Sequence, residues 1–156
     1  MTLTILVLED DEELLRAFER DLAGFGDRFR METAESLPEA WERIETVCAD
    51  DDELALVLCE CKVRGESGVE FLIALAQDER YDPAKKMMIT GDSGVEDAIR
   101  AVNNAHLDQY LTRPWDPGEL QEEVRELLTD YVLENDVDPL PYMTHLDDER
   151  VMEIWR

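Results

Sequence analysis

Leu54–Cys59 is an unbroken apolar run of strand length with an acid at each end, Glu53 and Glu60. A half-exposed strand would alternate apolar and polar residues. A short continuous run suits a strand covered on both faces, as in the middle of a parallel sheet. A chain built around such a strand must also supply neighbouring strands and helices to cover them.

The rest of the chain supplies both. Thr2–Leu8 is a β-rich apolar run that stops at Glu9-Asp10-Asp11-Glu12. Leu14, Leu15, Phe18 and Leu22 follow at helical spacing, closed by Gly24 and Gly26. Arg28–Thr33 is a short strand candidate, and Ser36-Leu37-Pro38-Glu39 is a capping box opening a helix through Trp41, Ile44 and Val47. Asp50–Glu53 is an acidic loop before the central strand. After a loop with Gly65 and Gly68 come a helix, Val69–Ala76, a turn region at Tyr81–Lys85 and a strand, Lys86–Thr90. Gly91–Gly94 leads into a helix with Val95, Ala98, Ile99 and Val102 on one face. Leu107–Leu111 is a fifth strand, stopped by Arg113-Pro114, and Asp116-Pro117 opens a long helix through Tyr131. This βα alternation with short connections predicts a flavodoxin-like, doubly wound α/β fold. Its five-stranded parallel sheet has order 2-1-3-4-5, helices on both faces and a site beyond the carboxyl ends of the strands.

Composition narrows the function. The 156 residues suit one domain, expected over 1–133, with an extension over 134–156. A net charge of −25 leaves no basic patch for nucleic acid or an anionic membrane, and no apolar run approaches the ~18 residues of a membrane span. Only Lys62, Lys85 and Lys86 are lysines, a pattern compatible with a salt-rich cytoplasm or simply with an acidic solvated surface. The first residues lack the basic region of a signal peptide, so the cytoplasm is the expected location. Cys48, Cys59 and Cys61 are too few and too unevenly placed for a disulfide framework. Cys59 and Cys61 should share one face of the central strand as buried thiols.

The strand ends collect the candidate chemistry: Glu9, Asp10 and Asp11 after strand 1, Glu60 after strand 3, Thr90 after strand 4, Tyr110 and Arg113 after strand 5. A dinucleotide site would need a glycine-rich turn after strand 1, where this chain has consecutive carboxylates. Clustered carboxylates are instead suitable oxygen ligands for Mg²⁺. A cation there, the Thr90 hydroxyl and Arg113 would surround the carboxylate of Glu60, which suits phosphoryl transfer to a carboxylate.

In order, the chain reads Ile5-Leu6-Val7-Leu8-Glu9-Asp10, Leu56-Val57-Leu58-Cys59-Glu60, Gly68-Val69-Glu70-Phe71-Leu72, Met88-Ile89-Thr90-Gly91 and Tyr110-Leu111-Thr112-Arg113-Pro114. Across roughly residues 3–130 this resembles the receiver domains of two-component response regulators. The resemblance implies a phosphorelay signalling module rather than an enzyme, and a protein partner. That partner would be a histidine kinase or an output protein, meeting the face of strand 4, helix 4, strand 5 and helix 5, with a homodimer as another use. It implies Glu60 at the phosphoacceptor position, Mg²⁺ held by Glu9 and Asp10 with Asp11 a weaker candidate, a switch pair of Thr90 and Tyr110, and a cis Arg113-Pro114 bond.

Two departures qualify it: the family's phosphorylated Asp is Glu60, and its Lys is Arg113. Glutamate carries its carboxylate about 1.5 Å further, and a misplacement near 1 Å costs on the order of 100-fold in a positioned reaction. Arginine is a planar fork suited to a carboxylate. The two long side chains can therefore pair directly, which would fix the conformation that receivers reach on phosphorylation. The other readings are a decayed site, residual phosphorylation on Glu60 or a neighbouring acid, and a small-molecule-binding doubly wound domain. Trp115 reads as packing, His106 and His145 carry no chemistry, and Lys62 and Arg64 bear on partner choice. The extension holds Leu140, Tyr142, Met143, Leu146, Val151, Met152, Ile154 and Trp155, which predicts packing on the domain or dimerisation, with a linker stub as the alternative.

Overall fold

The computed structural model describes residues 1–91 and 95–155. The turn expected at Gly91–Gly94 lies outside the described residues beyond Gly91, as do the side chains of Val95 and Trp155 and the whole of Arg156. The elements alternate: β1 (Leu3–Leu8), α1 (Glu12–Leu22), β2 (Arg30–Ala34), α2 (Leu37–Ala49), β3 (Glu53–Glu60), α3 (Gly68–Ala76), β4 (Lys85–Thr90), α4 (Val95–Asn104), β5 (Gln109–Thr112), α5 (Pro117–Glu134) and α6 (Asp148–Trp155). The five strands are parallel and ordered β2-β1-β3-β4-β5, as the alternation predicts.

The central run is buried as its composition requires, with every residue of β3 after Glu53 enclosed. Its side chains alternate between two cores. Leu56 and Leu58 join α1 and α5 on one face; Val57 and Cys59 join α2, α3 and α4 on the other. Side-chain caps set helix starts, those of α2, α5 and α1 among them. Ser36 accepts from the Glu39 N–H at 3.2 Å, Asp116 from that of Glu119 at 2.9 Å, and Asp11 from those of Glu13 and Leu14 at 2.9 and 3.2 Å.

Some boundaries differ from the sequence reading. α1 ends at Leu22, and Gly24 and Gly26 sit inside a separate 3-10 turn, Ala23–Asp27, which delays β2 to Arg30. β5 starts two residues later than expected, because His106 adopts φ 56° and Leu107 is spent packing beneath α4. The loop after β3 holds a small antiparallel ribbon, Lys62–Val63 with Glu66–Ser67, which the sequence did not announce. Cys59 and Cys61 do approach the same core, but Cys61 lies beyond the end of β3.

The residues after α5 lie against the sheet's α1/α5 face. Tyr142, Leu146 and Val151 belong to the core that includes Leu3 and Phe29. The Tyr142 ring lies 4.8 Å from Phe29, and its hydroxyl accepts the Leu3 N–H at 3.1 Å, satisfying the start of β1. Arg150 reaches back to Glu126 and Asp130 of α5 at 2.8 and 2.5 Å. His145, expected to carry no chemistry, contacts Asp27 at 2.6 Å over the Phe25 ring.

Candidate receiver site

Adjacent strand ends bring the candidate residues together. The register pairs Leu8 with Cys59, Glu60 with Ile89, and Thr90 with Thr112, so β1, β3, β4 and β5 end side by side. Glu60 is buried at 6% exposure. Its Oε1 accepts the Cys61 N–H at 2.9 Å, and its Oε2 faces Arg113 Nε at 3.4 Å. Both facing atoms are buried and have no hydrogen-bond partner among the described residues, so each is the other's nearest means of charge compensation. The arginine is placed from both sides. Its N–H donates to the Thr90 carbonyl at 2.8 Å, its bond to Pro114 is cis, and Gly91 leaves the guanidinium room, since a Cβ there would lie 3.0 Å from Nη2.

Glu9, Asp10 and Asp11 have three different tasks. Glu9 is buried, and its Oε1 accepts the Asp11 N–H at 3.2 Å. Asp10 turns to the loop after β3, where its Oδ2 accepts the Arg64 N–H at 2.7 Å. Asp11 caps α1 and is thereby committed. Thr90 is buried, and its hydroxyl donates to the Gly91 carbonyl at 3.2 Å and lies 3.5 Å from Cys61 Sγ. The sequence placed Cys61 only as a buried thiol beside Cys59; its approach to Thr90 follows from the β3–β4 register. Tyr110 is 44% exposed, so its ring lies outward. Trp115 packs, stacked 4.3 Å from Phe18 with its Nε1–H donating to Asp21 at 2.9 Å.

The carboxylates interact. Burial, with the charges of Glu60 and Asp10 adding to it, pushes the Glu9 carboxyl up to about 7 against the Asp11 N–H and Arg113, which act the other way. A folded-state value above the unfolded one means that this group's stabilising contribution is complete below about 4.5 and disappears as pH rises through about 7. Glu9→Gln, which keeps the acceptor for Asp11, is therefore expected to stabilise the fold by about 2 kcal/mol at pH 8 and by almost nothing at pH 4.5. Urea unfolding at the two pH values, without divalent cations, reads this; equal gains at both would show that Glu9 ionises normally.

The sequence signature described as the response regulator receiver domain matches residues 5–125. The chain belongs to that family. It is 31% identical over 134 residues to the hydrogenase transcriptional regulatory protein HoxA of Cupriavidus necator, covering 86% of this chain and 26% of HoxA. It is 26% identical over 126 residues to the response regulator Rre1 of Synechocystis, covering 81% of this chain and 52% of Rre1. The chain thus spans about a quarter of the first relative and about half of the second. A CheY-like receiver domain protein from Methanospirillum hungatei superposes with a TM-score of 0.72 at 26% identity, over 86% of this chain and 99% of that one.

Receiver domains typically bind Mg²⁺ for phosphorylation. In this chain the candidate ligands are partly committed to other contacts. Among the described residues no three His, Cys, Asp or Glu side chains stand close enough to share a cation. One oxygen of Glu9 and one of Asp10 are engaged by backbone N–H groups, and Glu60 faces a guanidinium. Arg113 places a positive charge beside Glu60.

Proposed function

We propose that this receiver works in two-component signalling as a protein-interaction module whose phosphoacceptor position is held by an internal Glu60–Arg113 ion pair. The carrying observation is the approach of Arg113 Nε to the buried Glu60 Oε2 at 3.4 Å, with no other partner for either atom among the described residues. A carboxylate so paired is a poor nucleophile towards a phosphodonor, and the donor's anionic oxygens would have to displace it from Arg113. The outward Tyr110 ring and the Thr90 hydroxyl turned to Gly91 support a site held in one unswitched arrangement, rather than one mimicking the phosphorylated state. Mg²⁺ at Glu9 and Asp10 is a secondary element of the reading, expected to bind weakly.

In this reading residues 1–133 are the receiver and 134–156 an extension packed on it, supported by Tyr142, Leu146 and Val151 in the core. The module acts by contact through β4, α4, β5 and α5, on a histidine kinase or an output protein, in the cytoplasm. The likeness to HoxA, described as a transcriptional regulator, makes a transcriptional output the natural destination.

Incubation with Mg²⁺ and acetyl phosphate, followed by intact mass, tests the reading. The expected spectrum shows no phosphoryl adduct. An adduct on Glu60 or on a neighbouring acid would overturn it.

A further inference from the structure

β5 is the last strand of the sheet, and among the described residues it is hydrogen-bonded to β4 alone, on one edge. Along β5 runs a groove of about 360 Å³, reaching from Tyr110 and Thr112 to Pro114, Trp115 and Glu119 at the start of α5. Three properties define what it can hold. Its aromatic walls are set: Tyr110 lies outward, and Trp115 is fixed from behind by Phe18 and Asp21, so one ring is available and the other cannot swing away. Its charge is single-signed, since Glu119 is the only charged residue lining it among the described residues. Its walls are partly apolar, because Leu111, Pro114 and Trp115 line it beside Tyr110.

We propose that this groove is a docking site for a protein segment carrying an arginine or lysine beside an apolar anchor, the cation lying between Tyr110 and Trp115 with its charge on Glu119. The proposal rests on the reading that the chain acts by protein contact, and names the partner's chemistry. An arginine or lysine brings an apolar stem for the groove walls and a cation for the aromatic faces and the carboxylate. A second copy of this chain is the weaker occupant, because two molecules of charge −25 repel each other. Nothing in the groove depends on a phosphoryl group, so the site is formed while Tyr110 stays outward.

The test uses a labelled amphipathic peptide of leucine and arginine at helical spacing, its counterpart with glutamate for arginine, and the whole chain, read by fluorescence anisotropy at about 0.15 M salt. The arginine peptide is expected to bind and the glutamate peptide not. Tyr110→Ala and Glu119→Lys should each weaken binding about tenfold, and Glu119→Gln about threefold. Glu45→Lys, the same charge change on the exposed side of α2, should change it less than about twofold. Equal losses from Glu45→Lys and Glu119→Lys would reduce the effect to diffuse attraction and overturn the proposal. Binding of the glutamate peptide would overturn it too, as would dimerisation through Tyr110 with no peptide bound. These outcomes are independent of the mass measurement. A phosphoryl adduct with intact groove binding would reject only the silent site; failed binding without an adduct would reject only the partner's chemistry.

Discussion

Gly68→Ala is expected to cost about 3 kcal/mol or more, the largest loss from adding a Cβ at any of the described glycines. The cause is a backbone approach. A Cβ at Gly68 would lie 2.0 Å from the Glu60 carbonyl oxygen and 2.8 Å from Cys59 Sγ. The oxygen belongs to the main chain of β3, which is hydrogen-bonded on both sides, so neither partner can yield without moving a strand or the start of α3. The close approach also closes the loop over the site, where the Gly68 N–H donates to the Cys61 carbonyl at 2.8 Å. Gly65→Ala is the control. Gly65 adopts φ 77° with open space around its Cα, so alanine there meets only the left-handed backbone penalty, about 1 kcal/mol. Urea midpoints with unchanged m-values should rank the two variants in that order. A Gly68→Ala loss no greater than that of Gly65→Ala would mean that α3 shifts freely against β3.

Arg113→Ala should cost about 3 kcal/mol at neutral pH, the low end for breaking a buried ion pair because the guanidinium is 34% exposed. The loss comes less from the attraction itself than from what remains. Glu60 would be buried at 6% exposure without its counter-charge, beside Glu9 and Asp10. Adding Glu60→Gln removes that charge and should recover about 2 kcal/mol, while Glu60→Gln alone should cost about 1 kcal/mol or less. A double-mutant cycle from urea unfolding measures the coupling directly. Additive losses would show that Arg113 and Glu60 do not act on each other, and the proposed held site would lose its physical basis. The same cycle read through peptide affinity should show almost no coupling to the β5 groove, because Arg113 does not line it.

The fold was legible because its signals are local. The unbroken run Leu54–Cys59 suited a central strand covered on both faces, and the Ser36 and Asp116 caps marked helix starts that the structure reproduces. Boundaries failed where a conformation rather than a pattern decided: the 3-10 turn over Gly24 and Gly26, the left-handed His106 and the ribbon at Lys62–Ser67 carry no periodicity to read.

At the site, the sequence by itself determined which groups exist: carboxylates after strand 1, Glu60, Thr90, Tyr110 and Arg113, at ends that a parallel sheet must bring together. It could not decide how they divide their bonds. Asp11 spends its carboxylate on a helix cap, Asp10 turns to Arg64, burial pushes the Glu9 carboxyl up to about 7, and Cys61 arrives beside Thr90. Only the tertiary structure decided that Glu60 Oε2 faces Arg113 Nε at 3.4 Å, and that Tyr110 stands outward at the edge strand. Which segments form strands and helices, and which of their faces are buried, follows from hydrophobic patterning, which is encoded residue by residue. The pairing of a carboxylate depends on distances of a few tenths of an ångström and on local desolvation, which exist only once the strands have been packed.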